Sequence, residues 1–286
     1  MQSAGSRIGP SFADKPSVML YNGHMRKLLL ILILLLMSVS GTFAQSCSER
    51  PVTVEHHTIP SEPLHGELSF DVYVPPCMDE RIIGGYPVIY LLHGQDMGIE
   101  VWQEMGMADI IRDVLAGGEF PLFLTVVPQE DQYLLSPSLS GFQEAVLQDL
   151  IPWIDSHYPV CNNRSCRAVG GLSRGALWAE KIAFEHADLF GSLAMLSTPG
   201  GWIDQQSLYF LAENHKPDGL LRIRIDSGSE DRYRQEAVKV SSDLTFIGYP
   251  YEYNIQPGEH DTGYWKSMLP EYFIWFSEGW KDLSLL

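Results

Sequence analysis

Apolar residues follow two rhythms along this chain. Val88-Ile89-Tyr90-Leu91-Leu92 is apolar without a break, and Leu122 to Val127 nearly so. Short continuous runs of this kind predict strands buried on both faces, the habit of parallel sheets. Ser192 to Leu196, Leu221 to Asp226 and Tyr251 to Ile255 predict further strands. Val52 to Ile59 and Glu67 to Val74 alternate only in part and are separated by Pro60-Ser61-Glu62-Pro63 and His65-Gly66. They predict an antiparallel hairpin at a sheet edge, ended by Pro75-Pro76. The second rhythm is helical. Trp102 to Leu115 carries Met107, Ile110, Ile111, Val114 and Leu115, and Gly117-Gly118 closes it. Phe142 to His157 places Val146, Leu147, Leu150, Ile151 and Ile154 on one face, with a kink expected at Pro152. Gly175 to His186, Gln206 to Asn214 and Gly263 to Trp280 complete the helices. Strands alternating with helices predict the α/β class, a mostly parallel central sheet with helices on both faces. No internal repeat, low-complexity tract or interdomain linker interrupts the pattern.

One stretch breaks the rhythm in a useful way. Arg167 to Leu172 reads as a buried strand, Gly175 onward as a helix, and Ser173 stands at the turn between them in Gly171-Leu172-Ser173-Arg174-Gly175. This fits G-x-S-x-G, a nucleophile elbow. A sharp strand-to-helix turn pushes the hydroxyl clear of the sheet, and side chains two residues either side would collide. The backbone N–H of Arg174, at the start of the helix, is free to bind an oxyanion.

A serine hydroxyl needs a base to take its proton, and the base a carboxylate to orient it. In the elbow architecture these follow in the order Ser, acid, His. Of nine histidines, six precede Ser173, and after the strand ending at Asp226 only His260 is left, in the loop Pro257-Gly258-Glu259-His260-Asp261. Asp226, Glu230 and Asp231 all lie at or beyond the end of the preceding strand. A loop carboxylate reaches a histidine loop more easily than one still on the strand, so Asp231 is expected, with Asp226 in reserve. The second oxyanion donor is expected at the backbone N–H of Gln95, in the loop His93-Gly94-Gln95-Asp96. His93 itself is expected to hold structure by hydrogen bonding.

Composition changes the picture at the N-terminus. Met25-Arg26-Lys27, the apolar run Leu28 to Met37 and Thr42-Phe43-Ala44 form a signal-peptide pattern over residues 25–44. The apolar segment is short for a membrane span of about 20 residues. Residues 1–24 are expected to be a disordered extension or sequence ahead of the true start, and 45–286 a single catalytic domain. Export predicts an extracellular or periplasmic protein with no stable membrane insertion after cleavage. It also predicts disulfides for the four cysteines, paired Cys47–Cys77 and Cys161–Cys166 as sequence neighbours. The net charge is −17, which repels nucleic acid and anionic lipid and argues against nucleic-acid partners.

Leu91-Leu92-His93-Gly94, Gly171 to Ala176, Gly228-Ser229-Glu230-Asp231 and Gly258-Glu259-His260-Asp261 with Tyr264-Trp265 together resemble the esterase D family of α/β-hydrolases. That family includes feruloyl and acetylxylan esterases, enterochelin esterases, S-formylglutathione hydrolase and mycolyltransferases. The resemblance spans Val52 to Trp280. It implies an α/β-hydrolase fold, a triad of Ser173, Asp231 and His260, and a serine carboxylic-ester hydrolase working through an acyl-enzyme on small-molecule or carbohydrate-linked esters. It implies no cofactor and no metal. An acyltransferase of the same chemistry and a non-catalytic carbohydrate-binding protein on this scaffold are the alternatives. Trp102, Tyr133, Trp202, Tyr264 and Trp265 are candidates to stack on a sugar or phenolic ring.

Overall fold

A computed structural model describes residues 50–78, 83–214 and 219–281, all within the compact unit Ser46–Leu286. The expected signal segment 25–44, residues 1–24 and Cys47 lie outside the described residues.

The apolar runs become one eight-stranded sheet. A hairpin of β1 (Thr53–Ser61) and β2 (Gly66–Val74) forms one edge, with Thr53 opposite Val74 and Ser61 opposite Gly66. The remaining strands are β3 (Val88–Leu92), β4 (Leu124–Pro128), β5 (Arg167–Leu172), β6 (Ser192–Leu196), β7 (Arg222–Gly228) and β8 (Glu252–Gln256). The spatial order is β1-β2-β4-β3-β5-β6-β7-β8, with β1, β2 and β4 antiparallel neighbours and every pairing from β4 through β3 to β8 parallel.

Side chains of the central strands alternate between two apolar layers, as the two-residue period of a strand requires. Val88, Tyr90 and Leu92 face one layer, Ile89 and Leu91 the other. The first layer is covered by α4 (Phe142–Ala145), α5 (Ile151–His157), α6 (Arg174–Glu185), α7 (Gln205–Asn214) and α8 (Arg234–Phe246). The second lies under α1 (Glu100–Glu104), α2 (Met107–Ala116) and α9 (Thr262–Glu278). A single turn, α3 (Pro137–Ser140), precedes α4.

Three details depart from the sequence pattern. The helix expected over Trp102 to Leu115 is two helices, because Gly106 adopts φ 78° between α1 and α2. The helix expected over Phe142 to His157 passes through a π-helical turn, Val146–Leu150, where the Ile151 N–H donates to the carbonyl of Val146. Pro152 follows at once; it has no N–H to offer and its ring crowds the preceding turn, so the widened turn replaces the expected kink. Finally, α8 is absent from the sequence reading. Its inward positions are Ala237, Val240, Ser241 and Leu244, a stripe half made of small residues that periodicity alone does not flag.

Cys161 and Cys166 are disulfide-bonded, with Cα atoms 5.9 Å apart, just ahead of β5. Cys77 is also disulfide-bonded; its expected partner is Cys47. Among the described residues no helix is long and apolar enough to cross a membrane.

The strand order places the site. From β3 the chain steps outward to β4, then returns past β3 to lay down β5. The loops leaving β3 and β5 therefore diverge at their carboxyl ends, which is where open α/β sheets leave a crevice.

Candidate active site

Ser173 occupies the turn from β5 into α6, with φ 52° and ψ −118°. The glycines around it are required by contact. A Cβ on Gly171 would stand 2.4 Å from the Gly175 backbone, and one on Gly175 only 2.1 Å from the Leu92 carbonyl oxygen. The Ser173 N–H donates to the Leu196 carbonyl at 2.9 Å, tying the turn to β6.

Two loops on the far side of β6 bring the partners. The loop after β7 and the loop after β8 are laced together: the Ser229 N–H donates to the Gln256 carbonyl at 2.8 Å and the Glu230 N–H to the Gly258 carbonyl at 2.9 Å. Their approach is so close that a Cβ on Gly228 would lie 2.3 Å from the Gly258 oxygen. Asp261 caps α9 by accepting the Tyr264 N–H at 2.8 Å, which fixes His260 immediately ahead of the helix. His260 Nε2 then lies 2.9 Å from Ser173 Oγ, and its Nδ1 lies 3.0 and 3.1 Å from the two oxygens of Asp231. An ionised carboxylate only accepts, so Nδ1 carries the ring proton and Nε2 is left to accept from the serine hydroxyl.

The surroundings hold that arrangement. The His260 ring meets Tyr233 and Trp265 edge-on, with centroids 4.8 and 5.0 Å away. Trp265 Nε1–H donates to Ser197 Oγ at 3.0 Å, and the Ser197 hydroxyl bonds Asp231. The Tyr233 N–H donates to Asp231 at 2.7 Å. Burial pushes the Asp231 carboxyl up, but the hydrogen bonds from His260, the Tyr233 N–H and Ser197 outweigh it and leave its pKa below the ordinary aspartate value.

Of the three carboxylates weighed in the sequence, Asp231 is the one brought to His260. Asp226 is wholly buried, bonded to the Tyr264 hydroxyl and 3.5 Å from Arg224. Glu230 is exposed. His93 is buried and bridges two backbone groups, accepting the Glu130 N–H at Nε2 (2.8 Å) and contacting the Gly94 carbonyl through Nδ1 (2.9 Å). Burial holds its pKa below the ordinary histidine value.

Ser173, His260, Arg174 and Gln95 line one cleft of about 510 Å³ together with Leu177 and Trp202. Arg174 is the first residue of α6, so its N–H has no acceptor within the helix. Among the aromatic candidates, Trp202 and Trp265 line the cleft. Trp102 is fully buried among the residues under α1 and α2, and Tyr264 turns to Asp226, so neither is available to stack on a ligand. Tyr133 bonds Asp96. Tyr233, which does line the cleft, and Ser197 carry no motif and were not among the sequence candidates.

A mostly parallel sheet with its serine on a strand–helix elbow at the crevice is the architecture of an α/β-hydrolase. Within that class the chain belongs to the esterase family described as "Putative esterase", which it matches over residues 61–276. This is the grouping that the four sequence motifs resemble. A similar curated protein is an endo-1,4-beta-xylanase/feruloyl esterase of Xylanibacter ruminicola, 25% identical over 228 residues, 76% of this chain. The chain spans about 30% of that relative's length. Similar solved structures include a ferulic acid esterase (TM-score 0.69, 23% identity, 79% of this chain and 98% of that one). Others are a CE1 ferulic acid esterase of Anaeromyces mucronatus (0.68, 20%, 80% and 90%) and an S-formylglutathione hydrolase of Staphylococcus aureus (0.62, 16%, 80% and 98%). At these identities the structures speak for the fold.

Proposed function

We propose that this protein is a serine carboxylic-ester hydrolase acting outside the cytoplasm on phenolic or carbohydrate-linked esters. The observation that carries the reading is the unbroken line Asp231–His260–Ser173, each link 2.9–3.1 Å. As His260 Nε2 takes the Ser173 proton, Oγ attacks the ester carbonyl and a tetrahedral oxyanion forms. The N–H groups of Arg174 and Gln95 receive that oxygen. The intermediate expels the alcohol, which takes the proton from His260, and leaves an acyl-enzyme. Water, deprotonated by His260, attacks the acyl carbon; Ser173 leaves with the proton and the free acid departs. Asp231 holds the imidazole in one tautomer and stabilises its cationic form.

The substrate class is supported by the cleft, whose wall includes Leu177 and Trp202, and by the likeness to the xylanase/feruloyl esterase of Xylanibacter ruminicola. Location is supported by the 25–44 signal pattern and by the disulfide Cys161–Cys166.

The test is turnover of a panel: p-nitrophenyl acetate and butyrate, methyl ferulate and acetylated xylan. The chain is expected to hydrolyse at least one natural ester and to be labelled at Ser173 by a fluorophosphonate. Ser173→Ala is expected to lose both with the fold intact. Near-wild-type turnover by that variant would sink the mechanism. Folded wild-type protein that neither turns over nor labels would favour a binding role, and transfer to an added sugar alcohol in preference to water would make it an acyltransferase.

A further inference from the structure

The two N–H groups assigned to the oxyanion, on Gln95 and Arg174, sit on different loops, and their spacing must match a single oxygen. Glu130 reaches both. It lies two residues beyond β4, 3% exposed, and appears in neither the triad nor the elbow motif. Its backbone N–H donates to His93 Nε2 at 2.8 Å. With Nε2 accepting, the proton of the neutral ring is on Nδ1, which donates to the Gly94 carbonyl at 2.9 Å. That carbonyl and the Gln95 N–H belong to the same peptide unit. A trans peptide is planar with C=O and N–H pointing opposite ways, so fixing one aims the other. Drawing on the carbonyl also polarises the N–H as a donor.

The side chain of Glu130 grips the other donor. Arg174 Nε lies 2.9 and 3.1 Å from its two oxygens and Nη2 lies 2.6 Å from one of them. The Arg174 guanidinium is held against Trp202 and Trp178, 5.2 and 5.9 Å from their ring centroids. This fork leaves the first turn of α6 little freedom to rotate.

We propose that Glu130 is a positioning residue that sets the gap between the two oxyanion donors, through its N–H and His93 on the Gln95 side and through its carboxylate on the Arg174 side. The proposal rests on the serine-esterase reading above. It explains how a His-Gly-Gln-Asp loop without further glycines holds its N–H in place: the rigidity comes from a third loop rather than from the turn itself.

The experiment compares the full wild-type chain with Glu130→Gln and Glu130→Ala on p-nitrophenyl acetate, and measures inhibition by phenylboronic acid, whose Ser173 adduct is a tetrahedral anion. Glu130→Gln keeps the backbone link to His93 and the side-chain shape but loses the ionic fork. It is expected to lower kcat on the order of 10- to 100-fold with KM within about threefold. The boronate Ki is expected to rise by the same factor as kcat falls, a parallel that a purely structural loss does not produce. If Glu130→Ala does not fold, Glu130→Gln decides alone. Unchanged kcat and Ki in a folded Glu130→Gln protein would overturn the proposal while leaving the esterase reading standing. A wild type that does not hydrolyse esters would overturn both.

Discussion

Asp226 and Asp231 are five positions apart on one strand–loop unit, and the fold treats them in opposite ways. Asp226 ends up inside the protein, where burial raises its pKa against the pull of Tyr264, Tyr272 and Arg224. Asp231 meets His260, Ser197 and a backbone N–H, and its pKa falls. Both have three sets of donors and neither side chain touches water, but Asp226 lies deeper, so burial outweighs its donors, whereas at Asp231 the donors outweigh burial. A carboxylate is fit to orient a histidine when the N–H and O–H groups that converge on its charged form outweigh the cost of burying that charge.

The sharpest way to break this comparison is to exchange the roles by mutation. Asp231→Asn is expected to cost about a thousand- to ten-thousand-fold in kcat, because the amide no longer secures the Nδ1–H tautomer. Asp226→Asn is expected to leave kcat within about threefold while lowering stability on the order of 1–2 kcal/mol, about 3–6 °C in Tm. Steady-state kinetics and a thermal melt on each variant check the pair. Comparable losses of kcat in both would show that the two carboxylates are not functionally separate.

A smaller effect sharpens the same point at a third buried acid. Glu180, on α6, accepts the Trp202 N–H at 2.8 Å and the Ile203 N–H, and so anchors the loop that brings Trp202 to the cleft. Burial pushes its pKa up to about 8 despite those bonds. The sign follows from proton counting. Between the unfolded value near 4.5 and about 8, the folded protein holds a proton that the unfolded chain has released. The stabilisation is therefore full below the unfolded value and is lost as pH rises toward 8. Asp231 acts the other way, its contribution being present above the ordinary aspartate range and lost on acidification. Glu180→Gln is expected to flatten the decline of Tm between pH 5 and 8; an unchanged slope would assign that decline to other groups.

How much of this is legible in the sequence depends on what each residue answers to. Ser173, Gly171 and Gly175 answer to their own turn, and the turn is local, so the motif displays them. His260 is legible by elimination, since chain order leaves one histidine in a late loop. Asp231 could be preferred to Asp226 from loop reach, but the donors that separate them, Ser197 and the Tyr233 N–H, come from other segments and leave no trace in the local pattern. Glu130 and Glu180 read as ordinary loop and helix acids. Only the packed fold shows that each is buried and holding a wall of the cleft. The aromatic residues were ambiguous for the same reason: Trp102 and Trp202 look alike in sequence, yet one fills the core and the other lines the cleft. The central strands β3, β4, β5 and β6 are readable because burial on both faces writes itself into composition, whereas α8 hides its contact face behind Ala237 and Ser241.

The place of β8 has a consequence for how the protein fails. It is the edge strand opposite the hairpin, paired among the described residues with β7 alone, and its five residues are all exposed or half-exposed. Yet the loop that follows it delivers His260. Edge segments with little buried surface open more readily than the middle of a sheet. His260 is therefore held between an exposed edge strand before it and the buried helix α9 after it, while Ser173 is rooted in the centre of the sheet. On heating, the β8 pairing is expected to open before the core melts, which a fluorophosphonate label and circular dichroism followed through one thermal ramp would separate. Under the proposed function, activity is then expected to fail at a lower temperature than the fold, with β8 as the fuse between them.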